Sequence, residues 1–180
     1  LGRIAPIKGV HTAIDVAKRT GIPLKIAGEI QPIFRDYFDR MVKPHIDGRF
    51  IEYVGEADLE MKNELLGGSR GLLFPIQWSE PFGLVMLEAM ACGTPVFAFP
   101  GGSVPEIVFV GRSGAISSSP EEMAEAIRNT VYTPENVRGW VEERFSVEIM
   151  VRRYVEFYER ILIGGLDLEI ERDFAKEIAA

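Results

Sequence analysis

The sequence predicts an α/β fold, a doubly wound parallel sheet with helices on both faces. Short apolar or β-branched runs recur at residues 24–27, 50–54, 71–75, 95–99 and, more weakly, 114–117, and each is followed by apolar residues at helical spacing. Strand alternating with helix builds a parallel sheet, because a parallel neighbour needs a crossover long enough to hold a helix. A chain of 180 residues with 47% hydrophobic content can bury one core and form one globular unit.

The helical stretches fall at 9–20, 32–43, 58–66, 83–92, 104–110, 120–131 and 146–162, leaving 132–145 without an element. In the first, Val10, Ala13, Ile14 and Ala17 share a face. The fourth is apolar throughout except for Glu88, which marks it as an interior helix. Ser119, Pro120 and Glu122 spell a capping box with proline at the first helical position, and Ser146 caps the run that ends at Leu162. Beyond Leu162 the chain turns polar, so residues 163–180 read as a polar helical tail and residues 1–162 as the domain. No internal repeat and no low-complexity segment stands out.

A net charge of −7 argues against a nucleic-acid or anionic-membrane partner, while leaving room for a local basic pocket. The single cysteine, Cys92, rules out a disulfide framework and a thiolate metal cluster, fits a reducing cytoplasm, and reads as a buried structural thiol. No apolar run reaches 18 residues. The opening Leu1-Gly2-Arg3 reads as the end of a strand running into a charged loop, which implies a preceding segment.

Chemistry concentrates between Glu80 and Gly93. The strand at 71–75 and the loop to Glu80 place that carboxylate and the start of the next helix at the carboxyl edge of the sheet, where ligands of such folds bind. A helix amino end offers unpaired N–H donors and partial positive charge, and Gly83 lets a ligand approach the backbone. Glu88 lies about 7.5 Å further along the axis, but helical side chains lean toward the amino end, so both carboxylates can serve one pocket. A buried, isolated Glu88 needs a ligand or an ion-pair partner; the residues alone leave both open. Arg3 and Lys8 can be aimed across the same edge toward a diphosphate, or be ordinary solvated cations. Gly101 and Gly102 permit close approach, and Ser103 with Glu106 reads as a second capping box. His11 and His45 lie in helical patterns as surface or structural residues.

These motifs, namely Gly2-Arg3 with Lys8-Gly9, Gly28 after a strand, Glu80-Pro-Phe-Gly-Leu-Val-Met-Leu-Glu88 continuing through Ala-Met-Ala-Cys-Gly-Thr-Pro-Val, and Gly101-Gly102 with Pro105-Glu106, resemble the carboxyl-terminal domain of family 4 retaining glycosyltransferases of GT-B architecture. The resemblance covers residues 2 to about 162 and implies a Rossmann-like donor-binding half. It implies that Gly2, Arg3, Lys8, Glu80, Phe82, Gly83, Leu84 and Glu88 bind a nucleotide diphosphate sugar. Arg3 and Lys8 would hold the diphosphate and stabilise the leaving group, Glu80 would meet the sugar or the charge near its anomeric carbon, and Glu88 would accept the ribose hydroxyls. Arg3, Lys8 and Glu80 are thus the catalytic candidates.

With two cations at the leaving group and no Asp-x-Asp motif, no metal and no cofactor beyond the donor substrate are expected. A glycan or lipid-linked acceptor would belong to an amino-terminal domain absent from this chain, so the 180 residues alone are expected to transfer sugar poorly. The expected setting is the cytoplasm, with at most peripheral membrane association of the whole protein. A transferred hexose is expected, with mannose from GDP-mannose the first candidate. The alternatives are a nucleotide-sugar epimerase of the same architecture and a non-catalytic nucleotide-binding module; a nicotinamide oxidoreductase is disfavoured because no G-x-G-x-x-G follows a first strand.

Overall fold

The computed structural model describes residues 1–164. All five predicted strands form, as β1 (Leu24–Ala27), β2 (Ile51–Gly55), β3 (Leu72–Phe74), β4 (Val96–Ala98) and β5 (Gly114–Ile116). Every pairing is parallel, with Leu24 opposite Ile51, Leu72 opposite Val96 and Val96 opposite Gly114. The expected single sheet is divided, however: β1-β2 forms one sheet and β3-β4-β5 another. A cavity of about 550 Å³ separates them, lined by β1 on one side and β3 on the other.

The helices are α1 (Val10–Thr20), α2 (Arg35–Tyr37), α3 (Leu59–Gly67), α4 (Leu84–Ala91), α5 (Val104–Ile107), α6 (Pro120–Asn129), α7 (Pro134–Phe145) and α8 (Val147–Gly164). Helix α1 serves both sheets. Its Ile14 and Ala17 join Ile26, Phe38, Val42 and Ile51 against β1-β2, while Val16 packs with Phe97, Met123 and Ile127 beside β4. The third cluster, around Phe74, Met86, Met90, Val96, Val104 and Trp140, fills the space between β3-β4 and α4, α5 and α7.

Four expectations about the helices are corrected. The helix expected over 32–43 is a run of short turns: 3-10 at Pro32–Phe34, α2, a π-turn at Phe38–Val42 and 3-10 at Lys43–His45. Pro44 has no N–H to give the carbonyl four residues back, so the last turn cannot close as α; burial of Phe38 and Val42 anchors the segment instead. The helix expected over 104–110 stops at Ile107, where Val108 is extended. Residues 134–145, left unassigned, form α7, which starts at Pro134 and buries Val137 and Trp140; Gly139 and its weak amphipathic pattern hide it from a periodicity reading. Ile163 and Gly164, placed in the tail, complete α8, and the rest of that tail, 165–180, lies outside the described residues.

The caps fare unequally. Ser119 Oγ accepts from Glu122 N, and Glu122 accepts from Ser118 N at 2.7 Å, so that box forms; Ser146 likewise accepts from Ile149 N. Ser103 does not cap α5; its hydroxyl donates to the Phe82 carbonyl at 2.8 Å, so the Ser103-Glu106 box is absent. Cys92 is a free, partly exposed thiol at the end of α4, not a buried one.

Candidate active site

Residues 2–9 cross between the sheets. Gly2 N donates to Ala27 O and Ile4 N to Glu29 O, both at 2.9 Å, while Gln77 N donates to Ile7 O at 2.8 Å. Both crossing points need glycine. A Cβ on Gly28 would lie 1.8 Å from Gly2 O, and one on Gly9, whose φ is +67°, would lie 1.9 Å from Pro75 O. This fit brings Gly2, Arg3 and Lys8 together on the wall of the cavity between the sheets, with Lys8 turned to Glu80 and Arg3 also lining the cleft that holds Glu88.

On Lys8's side the site is closed. Lys8 Nζ lies 2.5 Å from Glu80 Oε2, and Trp78 Nε1 donates to the same oxygen at 2.9 Å. The Lys8 ammonium also sits 4.9 Å from the centroid of the Trp78 ring, a cation-π contact. Glu80 is 8% exposed, and these two donors, both on Oε2, offset part of what burial of a carboxylate costs. Gly101 and Gly102 are needed here too, but against protein: a Cβ on Gly102, at φ +57°, would lie 2.1 Å from Glu80 O, and Ser103 N donates to that oxygen.

On Arg3's side the site is open. A cleft of about 290 Å³ is lined by Leu1, Gly2, Arg3, Gly28, Glu29, Glu56, Ala57, Lys62, Val85 and Glu88. Arg3 is exposed, and no hydrogen bond or ion pair engages its side chain among the described residues. Glu88 is neither isolated nor deeply buried. Its side chain is 37% exposed, and Lys62 Nζ lies 2.6 Å from its Oε1. The expectation of an all-buried helix fails because α4 buries only Met86, Ala89 and Met90 fully; Val85 and Leu87 pack against the core half-exposed, and Leu84 is 65% exposed.

The structure therefore brings Gly2, Arg3 and Glu88 to one cleft and pairs Lys8 with Glu80, but Glu80 does not line the cleft that holds Glu88. Phe82 (44% exposed), Gly83 and Leu84 lie between the two glutamates in the chain, where α4 begins. Gly83 caps α4 at φ +76°, and a Cβ there would lie 2.7 Å from Met86 Cε, so the chain itself requires glycine there. Sequence reading missed Lys62 and Trp78. The signal for Lys62 was its place on the inward side of α3, with Met61, Leu65 and Leu66. His11 is half-buried, with Nδ1 2.9 Å from Tyr37 Oη and Nε2 3.2 Å from Gln77 Nε2, and burial holds its pKa below the ordinary value. His45 is exposed. Among the described residues no group of three His, Cys, Asp or Glu side chains is arranged to hold a metal ion, and no helix is long and apolar enough to cross a membrane.

Comparison with known proteins places this geometry in a family. The family described as glycosyl transferases group 1 matches residues 1–144. The chain is 34% identical over 142 residues to the glycogen synthase of Mycobacterium tuberculosis, a match covering 74% of this chain and 33% of that one. It is 28% identical over 169 residues to the uncharacterized glycosyltransferase MJ1178 of Methanocaldococcus jannaschii, covering 89% and 47% respectively. Among solved structures, AviGT4, a glycosyltransferase involved in avilamycin A biosynthesis, superposes with a TM-score of 0.75 at 27% identity, covering 91% of this chain and 50% of its own. The chain thus spans between a third and a half of these relatives' length. With the parallel α/β architecture of these GT-B structures and a match over most of its length, the chain belongs to the group 1 glycosyl transferases.

Proposed function

We propose that this chain is the donor-binding half of a retaining family 4 hexosyltransferase, with residues 1–162 holding a nucleotide diphosphate sugar. The observation that carries the reading is the open cleft, where an unpaired Arg3 faces Glu88 across main chain packed too closely for any side chain at Gly28. Glu88 accepts hydrogen bonds from ribose hydroxyls, and Arg3 meets the diphosphate. Lys8 reaches the diphosphate from the closed side, kept in place by Glu80 and Trp78. The main-chain N–H groups opening α4 add donors near Phe82, Gly83 and Leu84.

In the reaction the bond between the anomeric carbon and the diphosphate oxygen breaks, negative charge grows on the departing nucleoside diphosphate, and the acceptor hydroxyl oxygen bonds the anomeric carbon as its proton passes to the departing diphosphate. Arg3 and Lys8 stabilise that charge, so transfer proceeds without a divalent ion. Glu80 contributes its negative charge near the sugar while orienting Lys8. The relatives that share this domain include proteins named "Probable sucrose-phosphate synthase" and "N-acetyl-alpha-D-glucosaminyl L-malate synthase", which supports sugar transfer and leaves mannose as one member of a donor panel. A second α/β half, supplying a glycan or lipid-linked acceptor site, closes over the exposed ridge of Trp78, Phe82 and Leu84.

Isothermal titration of the complete protein with UDP- and GDP-sugars, including GDP-mannose, tests this reading. Binding that Arg3→Ala weakens at least tenfold and that EDTA leaves unchanged is expected; absence of binding by every donor overturns it. Product analysis with and without an acceptor separates transfer from epimerisation, which would isomerise the sugar alone.

A further inference from the structure

Lys62 has no assigned role, yet its surroundings differ from those of an ordinary helix-surface lysine. On α3 the outward positions Leu59, Glu60, Asn63 and Glu64 are exposed, whereas Lys62 lies with Met61, Leu65 and the buried Leu66 on the inward side, its side chain 25% exposed. The nearby acid on its own helix, Asp58, is occupied in capping, accepting from Met61 N at 2.9 Å. The lysine instead reaches across to α4, and its 2.6 Å contact with Glu88 lies on the wall of the open cleft.

The charge balance of that cleft gives the contact a purpose. Three carboxylates line it, Glu29, Glu56 and Glu88, against two cations, Arg3 and Lys62. A bare Glu88 would repel a diphosphate bound at Arg3, and a freely rotating one would present its oxygens to ribose only part of the time. An ammonium carries three donors, so a lysine spending one on Glu88 still offers two to a ligand.

We infer that Lys62 is a positioning residue for nucleotide binding: it fixes the Glu88 carboxylate at the cleft wall and offsets its charge, so that the carboxylate can accept the ribose hydroxyls beside a diphosphate. This rests on the nucleotide-sugar reading above.

The test is ribose selectivity in the complete protein, measured by titration with UDP, GDP and their 2′,3′-dideoxy counterparts. Wild type is expected to prefer the ribonucleotide by about tenfold or more, the range of hydrogen bonds to a charged group. Lys62→Met should shrink that ratio to about threefold or less with little change in Tm, Lys62→Arg should keep most of it, and Lys62→Met should change little further when added to Glu88→Gln. A purely structural lysine would move Tm and leave the ratio intact. A Lys62→Met ratio equal to wild type overturns the inference while the nucleotide reading stands; wild-type protein that binds neither UDP nor GDP overturns the nucleotide reading itself, and this inference with it.

Discussion

Two ion pairs bracket the stretch from Glu80 to Glu88, and they are built from the same chemical groups in different settings. Lys8-Glu80 is the buried pair, with side chains 22% and 9% exposed and a second donor from Trp78. Lys62-Glu88 is the open one, 25% and 37% exposed, standing in a cleft with an unpaired arginine. The difference shows what an active site asks of a charge. Where water is excluded, a carboxylate must be fully partnered by the protein, and its removal strands the partner. Where water enters, the pair contributes little to stability, and its lone pairs remain available to a ligand.

That contrast breaks first at Glu80. Glu80→Ala strands the half-buried Lys8 ammonium and should lower unfolding free energy by about 2–3 kcal/mol in urea denaturation; a loss under about 0.5 kcal/mol would make the two pairs equivalent. Arg3→Ala should leave the urea midpoint unmoved, because nothing in the described protein uses that guanidinium, while weakening UDP or GDP binding by about 2 kcal/mol, or roughly thirtyfold. Glu88→Gln sharpens the comparison further: less than about 1 kcal/mol of stability against a roughly tenfold loss of nucleotide affinity, with calorimetry reading both.

The smallest effect concerns pH on the closed side, where His11 touches Gln77 in the loop leading to Glu80. Burial lowers the His11 pKa, so the unfolded chain takes up its proton at higher pH than the folded one. Stability therefore falls as pH drops below about 6.5, and the loss is complete below the folded value. His11→Gln should flatten that part of a pH-stability profile, and an unchanged slope would assign it elsewhere.

The strands were legible because each is a short apolar run between turn residues, and four site side chains, Arg3, Lys8, Glu80 and Glu88, sit in local motifs. Their pairing was not legible. Lys8 meets Glu80 across 72 residues and Lys62 meets Glu88 across 26, and only tertiary packing, of the 2–9 segment on the loop after β3 and of α3 on α4, decides which cation faces which acid. The same reason explains the error over α4: composition marks it apolar, but how much of its circumference the core covers depends on where α3 and α7 lie. Helix α7 escaped because its two buried anchors, Val137 and Trp140, carry too little periodicity against Gly139 and a charged remainder.

The divided sheet bears on how the donor cleft could be tuned from afar. Gly2 and Ile4 are hydrogen-bonded to β1 and the residue that follows Ala27 by two, whereas Glu88 rides on α4 over β3 and β4. The two jaws of the cleft therefore belong to different sheets, and α1, packed on both through Ile14 and Val16, is a strut that sets the gap between them. Trimming Val16 should change the bite of the cleft, and so the fit of a nucleotide, from a point buried in the core beside Phe97 and Met123.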